Sequence, residues 1–193
     1  SGLLVAAKTG PAHGGLTAQF TDRTVERAYA AFVWGLPNPA AGSIEGNIGR
    51  SPRNRKKMAV RTAGGREAKT NYITETVFGT GAATLIECRL ETGRTHQIRV
   101  HLAHIKHPVI GDSVYGGGTT RPRKAAIGEE AAALVSKLNR QALHARRLLV
   151  PPSERARDGR TADGGACGAE RGAAAAGRAA PVRAGLRARG CLC

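Results

Sequence analysis

The sequence predicts an α+β fold in which helices flank a mostly antiparallel β-sheet. Several segments alternate apolar and polar residues with the period of two that is typical of strands. Two of them, residues 68–78 and 84–90, are separated by Gly79-Thr80-Gly81, which predicts a hairpin. Strands and helices do not alternate as they do in a doubly wound parallel sheet. We therefore expect antiparallel strands with helices packed on the sheet.

The elements are predicted in order from the amino terminus. A short apolar run predicts a strand over residues 3–8, and a proline near its start suits a helix over residues 11–20. The next strand, over residues 25–33, places Arg27 and Tyr29 on one face. Further strands are predicted over residues 43–48, 58–61, 68–78, 84–90 and 142–150, and a further helix over residues 129–138.

The segment 93–116 combines cationic side chains with an apolar pattern of helical spacing. Thr95 is predicted to cap a helix over residues 96–105. Ile98 and Leu102 share a face of that helix, which predicts packing on a core. An adjacent face carries hydrogen-bond donors: His96, Arg99 and Lys106. A helix with a merely solvated polar side is the alternative.

The histidine and cysteine spacings predict no metal site. His101, His104 and His107 are three residues apart and turn around a helix instead of converging, and no His-Glu-x-x-His motif accompanies them. The four cysteines show neither zinc-ligand spacing nor a disulfide framework, which favours a cytoplasmic protein. No run of 18 apolar residues predicts a membrane span.

The charge balance points to a polyanionic partner. The formal net charge is +16 and the predicted pI is about 11.0, which favours a nucleic acid or an anionic surface. A basic loop follows the strand at 43–48 and consists of Arg50, Arg53, Arg55, Lys56 and Lys57. These charges repel one another unless phosphate neutralises them. A solvated basic surface without a specific partner is the alternative.

Composition divides the chain near residue 150. Residues 1–150 have the apolar content of a folded domain, whereas residues 151–193 are rich in alanine, glycine and arginine and contain no aromatic residue. So little apolar surface cannot offset the entropy of ordering, so a disordered tail is predicted. A second interpretation is that this tail is an out-of-frame translation of GC-rich DNA.

Several motifs, in order, resemble the RluA-type pseudouridine synthases over residues 1–149. The segment 103–116 resembles the branch that modifies 23S ribosomal RNA of the bacterial large subunit. The motifs are Ser-Gly-Leu-Leu-Val-Ala-Ala-Lys at 1–8, Arg-Ala-Tyr-Ala at 27–30, Arg-Lys-Lys-Met at 55–58, Gly-Arg-Thr-His-Gln-Ile-Arg-Val-His at 93–101 and Arg-Gln-Ala-Leu-His-Ala at 140–145. The block at 93–101 is the most specific of them.

The resemblance implies a pseudouridine synthase-like fold and isomerisation of uridine to pseudouridine in RNA, without a cofactor. It implies that Tyr29 stacks on the flipped base, that Arg99 pairs with the catalytic carboxylate, and that Ile98 contacts the uracil. The RNA-binding residues that it implies are Arg27, Arg50, Arg53, Arg55, Lys56, Lys57, Arg94, His96, Gln97 and His101. The expected partner is ribosomal RNA, free or in pre-50S particles, and the expected state is a monomer without a membrane partner.

The chain departs from the family pattern at both ends. Ser1-Gly2 matches the end of the catalytic His-Arg-Leu-Asp…Thr-Ser-Gly motif, but the nucleophilic Asp is not among the 193 residues. We therefore expect a partial catalytic domain over residues 1–150 that does not form pseudouridine by itself. Asp112 is predicted to serve only a structural turn, which leaves Arg99 directed at a carboxylate outside the chain. A non-catalytic RNA-binding module that uses the same basic cleft is the alternative function.

Overall fold

The computed structural model describes residues 1–54 and 56–151. Its elements are α1 (Gly10–Thr21), β1 (Glu26–Trp34), β2 (Ala41–Arg50), β3 (Met58–Arg61), β4 (Arg66–Phe78), β5 (Ala83–Leu90), α2 (Gln97–His104), α3 (Arg121–Ile127), α4 (Glu129–Lys137) and β6 (Leu143–Leu149). The expectations for Arg55 and for the tail after residue 151 lie outside the described residues.

The six strands form one sheet in the order β3-β2-β4-β5-β1-β6, and all neighbouring strands are antiparallel. The predicted hairpin joins β4 to β5, and both glycines of its turn have positive φ, 60° at Gly79 and 91° at Gly81. Glycine adopts this region without steric cost, which is why the turn forms at these positions. The α+β class with an antiparallel sheet is therefore confirmed.

The core lies between the sheet and α2. Ala31 and Val33 of β1 pack with Ile86 of β5 and with Ile98 and Leu102 of α2 in one buried cluster. The alternation along β1 thus produces one buried face, and the apolar side of α2 covers it. A second cluster, around Trp34 and Ile110, receives side chains of α3 and α4.

Two local predictions were wrong. Residues 3–8 form no strand; Gly2 alone makes an isolated bridge to Ala145, and Leu4 is 90% exposed. Thr95 does not cap α2, because His96 occupies the cap position with a left-handed backbone of φ 57° and no side-chain capping bond. The helix therefore begins one residue later than predicted. Helix α3 was not predicted.

None of the helices in residues 1–54 and 56–151 combines the length and the hydropathy of a membrane-spanning segment.

Candidate functional site

Tyr29 lies in the middle of β1 on the face that carries the main core. It is opposite Cys88 of β5 and Ala145 of β6, and its half-buried ring packs against the main core cluster. Ala145 also binds the first residues of the chain, since its amide donates to the Ser1 carbonyl (2.9 Å) and its carbonyl accepts from Leu3 N (3.0 Å). Residues 1–3 therefore lie two strands from Tyr29, about 10 Å away at ordinary strand spacing.

Gln97 anchors the turn that precedes α2. Its side-chain oxygen accepts from Thr92 Oγ1 (2.7 Å) and Arg94 N (2.9 Å), while its side-chain nitrogen donates to Lys69 O (2.9 Å) and Thr70 Oγ1 (3.0 Å). The side chain is 3% exposed. All of these bonds are internal, so Gln97 holds the turn on β4, and its contact with RNA stays a prediction.

His101 is also buried, and its surroundings keep it neutral. Its Nδ1 lies 3.0 Å from Thr70 Oγ1, and the residue is 0% exposed. Burial, together with the nearby His104, lowers the pKa of His101 to about 4. The predicted RNA contact of His101 stays a prediction, although its side chain is fully buried in this structure. The uracil contact of Ile98 also stays a prediction, and Ile98 is 4% exposed within the core.

Arg99 has a carboxylate partner within the chain. Its Nε and Nη2 donate to the two oxygens of Asp112 at 2.6 and 2.8 Å, and the side chains are only 12% and 0% exposed. The amides of Val114 and Tyr115 donate to the same carboxylate. Burial acts to raise the pKa of Asp112, but Arg99 and these amides outweigh it and hold the pKa below its usual value. Arg99 thus has a carboxylate partner within the chain that the sequence reasoning did not foresee, and Asp112 does more than shape a turn; the pairing of Arg99 with the nucleophilic Asp stays a prediction.

Tyr115 joins α2 to the basic loop. Its hydroxyl lies 2.8 Å from Nδ1 of His96 and accepts from Met58 N at 3.1 Å. Arg99 lies over its ring, with Cζ 4.8 Å from the centroid. Lys57 Nζ donates to the neighbouring Val114 carbonyl at 2.8 Å. The sequence reasoning did not single out Tyr115, although it lies in the 103–116 segment that carries the resemblance.

The described part of the basic loop holds its backbone by internal bonds and presents its cations outward. Ser51 N donates to Lys57 O (2.8 Å), and Lys57 N donates to Asn54 O (2.9 Å). Arg50, Arg53 and Lys56 are exposed. His96 is also exposed, but partial burial and then the charge of Arg99 lower its pKa, so the cations of this surface are the arginines and lysine. The predicted cationic surface is therefore present on these side chains.

Arg27 and Arg94 both adjoin Gly93, which follows the carboxyl end of β5. The Arg27 guanidinium lies over the Phe20 ring, 5.5 Å from its centroid, and so close to Gly93 that a Cβ there would be 2.6 Å from its Nη1. Arg94 Nε donates to the Glu67 carbonyl at 2.9 Å. Glycine at position 93 therefore leaves room for an arginine.

No group of three metal-ligating side chains occurs in residues 1–54 and 56–151.

Comparisons with known proteins agree on one family. The family model described as RNA pseudouridylate synthase matches residues 1–104. A protein named ribosomal large subunit pseudouridine synthase D from Zymomonas mobilis is 49% identical over 151 residues, which are 77% of this chain and 44% of that protein. An uncharacterized RNA pseudouridine synthase from Chlorobaculum parvum is 45% identical over 152 residues, 77% of this chain and 46% of that protein. The chain thus spans less than half the length of these relatives.

A solved structure has the same fold. The human protein named RNA Pseudouridylate Synthase Domain Containing 1 superimposes with a TM-score of 0.61 at 25% identity. The match covers 77% of this chain and 58% of that one.

Proposed function

Because the chain belongs to the RNA pseudouridylate synthase family, we propose that it is part of an enzyme that isomerises uridine to pseudouridine in 23S ribosomal RNA. Relatives named ribosomal large subunit pseudouridine synthase D support a ribosomal RNA substrate. The resemblance of the segment 103–116 is the basis on which we propose 23S RNA and its helix 69 region as the target. One structural observation carries the proposal: Tyr29 is half-buried on a strand that pairs with β6, and Gly2 is bridged to the other edge of β6.

The position of Gly2 matters because of the chemistry that the family resemblance implies. A carboxylate starts cleavage of the bond between uracil N1 and the ribose C1′, the ring turns, and a C5–C1′ bond forms while C5 loses a proton and N1 gains one. The resemblance aligns Ser1-Gly2 with the motif that ends a few residues after the nucleophilic Asp. We propose that Tyr29, two strands from Gly2, stacks on the target base and helps remove the C5 proton.

Arg99 is proposed to supply positive charge to the reacting carboxylate. Nε and Nη2 already bind Asp112, so the remaining Nη1 is the donor that we assign to the nucleophile. The bidentate bond to Asp112 fixes the plane of the guanidinium. A fixed cation beside the nucleophile would keep that carboxylate ionised.

We propose that RNA lies across the surface formed by the basic loop and the turn before α2, which the Tyr115 hydroxyl links through Met58 and His96. Its exposed cations come from the basic loop: Arg50, Arg53 and Lys56. His96, in the turn before α2, is exposed as well. The charge of the loop supports binding to phosphates by counterion release. We assign Gln97, Ile98 and His101 to holding α2 on the sheet, since all three are buried.

The test compares two polypeptides on unmodified 23S RNA transcripts. The first is the 193-residue chain, which contains no His-Arg-Leu-Asp motif. The second joins the amino-terminal part of the Zymomonas mobilis relative to this chain. Pseudouridine is mapped in both, with a Tyr29→Ala version of the fusion as the control. We expect product from the fusion alone and none from the Tyr29→Ala control.

Two results would count against parts of this proposal. Product from the 193-residue chain alone would show that the missing motif is dispensable. RNA binding without product in either polypeptide would favour the alternative, a non-catalytic RNA-binding module. Asp112 gives that alternative some support, because its bonds to Arg99 and to two amides leave it unsuited to act as a nucleophile.

A further inference from the structure

Tyr115 is fixed along the whole length of its side chain. Its backbone amide donates to the Asp112 carboxylate at 3.1 Å, and its half-buried ring packs against the buried cluster that contains Val100. Its hydroxyl accepts from Met58 N at 3.1 Å and lies 2.8 Å from Nδ1 of His96. A tyrosine held at its backbone, ring and hydroxyl has one orientation, so it can orient the groups that touch it.

The hydrogen bonds of this hydroxyl select one tautomer of His96. Met58 N is a donor, so the hydroxyl oxygen accepts from it, and the hydroxyl proton is left for Nδ1 of His96. If Nδ1 carried the imidazole proton instead, two donors would meet the same oxygen, and the hydroxyl proton would have no acceptor in residues 1–54 and 56–151. The bonds therefore favour a neutral ring in which Nδ1 accepts and Nε2 carries the proton.

His96 itself is held in an unusual backbone conformation. Its φ of 57° lies in the left-handed region, where a residue other than glycine is strained. Its carbonyl accepts from Val100 N at 2.9 Å, and its ring meets that of Tyr115 edge-on, with the centroids 5.6 Å apart. Such strain persists where the surroundings enforce it. Partial burial and the charge of Arg99 lower the pKa of His96, which agrees with a neutral ring.

The ring of Tyr115 also orients Arg99. Cζ of Arg99 lies 4.8 Å from the ring centroid, within the range of cation–π attraction. Nε and Nη2 of the same guanidinium bind Asp112. Asp112 therefore holds the guanidinium at its edge and Tyr115 holds it at its face. Nη1, the donor that we assign to the nucleophile, then has a fixed direction.

We propose that Tyr115 is a positioning residue for the isomerisation: its hydroxyl selects the Nε2–H tautomer of His96, and its ring holds the guanidinium of Arg99. A neutral Nε2–H can donate to an acceptor oxygen of the nucleotide, whereas the other tautomer would present a lone pair to it. Tyr115 itself needs no contact with the uridine. The effect on turnover rests on the proposed function, but the choice of tautomer does not.

The first experiment determines the tautomer of His96 in the 193-residue chain, without RNA. Long-range ¹H–¹⁵N NMR spectra distinguish a protonated from an unprotonated ring nitrogen, and His96→Gln assigns the signals. We expect an unprotonated Nδ1 at neutral pH, and a mixture of tautomers in Tyr115→Phe, which keeps the ring and removes the hydroxyl. Tyr72→Phe is the matched control, because the Tyr72 hydroxyl donates to the Pro39 carbonyl at 3.0 Å. A protonated Nδ1 in the unmodified chain, or the same loss in Tyr72→Phe, would overturn the proposal.

The second experiment measures kcat and KM in the fusion with the amino-terminal part of the Zymomonas mobilis relative. We expect kcat to fall about tenfold in Tyr115→Phe with KM nearly unchanged, since misplaced groups slow the reaction itself. Tyr115→Leu should lose more, because it also removes the ring beside Arg99, and Tyr72→Phe should keep its kcat. An unchanged kcat in Tyr115→Phe, or an equal fall in Tyr72→Phe, would refute the positioning role. If the unmodified fusion makes no pseudouridine while the His96 spectrum is as expected, the proposed function fails and the tautomer assignment stands.

Discussion

Replacing Asp112 by alanine removes a carboxylate that is fully buried and accepts four hydrogen bonds, two of them from Arg99. Loss of one partner of a buried ion pair costs about 3–5 kcal/mol, since the other charge stays uncompensated. Arg99 is 12% exposed, so water relieves part of this cost, while the two amides lose their acceptor. We therefore expect the free energy of unfolding to fall by about 4 kcal/mol.

Urea unfolding followed by tryptophan fluorescence measures this change. Trp34 is the single tryptophan, and its indole nitrogen donates to the Gly117 carbonyl at 2.9 Å, five residues beyond Asp112. With an m-value of about 2 kcal/mol/M, the midpoint should fall by about 2 M. The double variant Asp112→Ala/Arg99→Met should be more stable than Asp112→Ala alone, because it removes the uncompensated charge.

Arg89→Ala is the control, because its ion pair with Glu87 involves an arginine side chain that is 67% exposed. Exposed pairs contribute at most about 1 kcal/mol, so this variant should unfold near the unmodified midpoint. A loss below about 1 kcal/mol for Asp112→Ala would contradict the reasoning. The reasoning would also be contradicted if the double variant Asp112→Ala/Arg99→Met had the same free energy of unfolding as Asp112→Ala alone.

Three further outcomes follow from buried groups. The pKa of His101 is about 4 in the folded chain, whereas its ordinary value is about 6.5. The free energy of unfolding should therefore be at its full value above pH 6.5 and decrease by up to about 3 kcal/mol as the pH falls to 4. His101→Gln should reduce this decrease, measured as urea midpoints at each pH, and an unchanged pH profile would contradict the role of His101. Tyr115→Phe removes the hydroxyl that binds His96 and Met58 N, so we expect a loss of about 1–2 kcal/mol in urea unfolding, and a fully stable variant would disprove that role. Burial raises the pKa of Cys88 to about 12, so mass spectrometry should find Cys88 unmodified by iodoacetamide in the native chain and modified in urea; rapid native labelling would be inconsistent with the buried thiol.

Features that depend only on residues close together in the sequence could be predicted from it. The alternation in β1 and the apolar spacing in α2 report which side of each element is apolar, and both sides are buried in the structure. The hairpin at Gly79 and Gly81 was predictable because a turn with positive φ favours glycine. The motif resemblance indicated the family for a different reason, namely the order and identity of several short segments.

Polar side chains in the candidate site were harder to predict. Gln97 and His101 were expected to contact RNA, but both lie against Thr70 of β4, 27 and 31 residues away in the chain. Helical spacing cannot show that a strand so distant will present a hydroxyl to them. The same reason explains why the ion pair of Arg99 with Asp112 was not predicted: the sequence analysis considered Asp112 but assigned it only to a turn.

The sequence alone determined the antiparallel α+β class, the cationic character of the surface and the family resemblance, because these follow from local periodicity, charge and short motifs. Only the tertiary structure decided which cations are neutralised. Arg99 receives a buried carboxylate, whereas Arg27 and Arg94 form no ion pair among the described residues. The physical reason is that a charge interacts over a few ångströms of space, and the sheet topology sets which distant residues come that close.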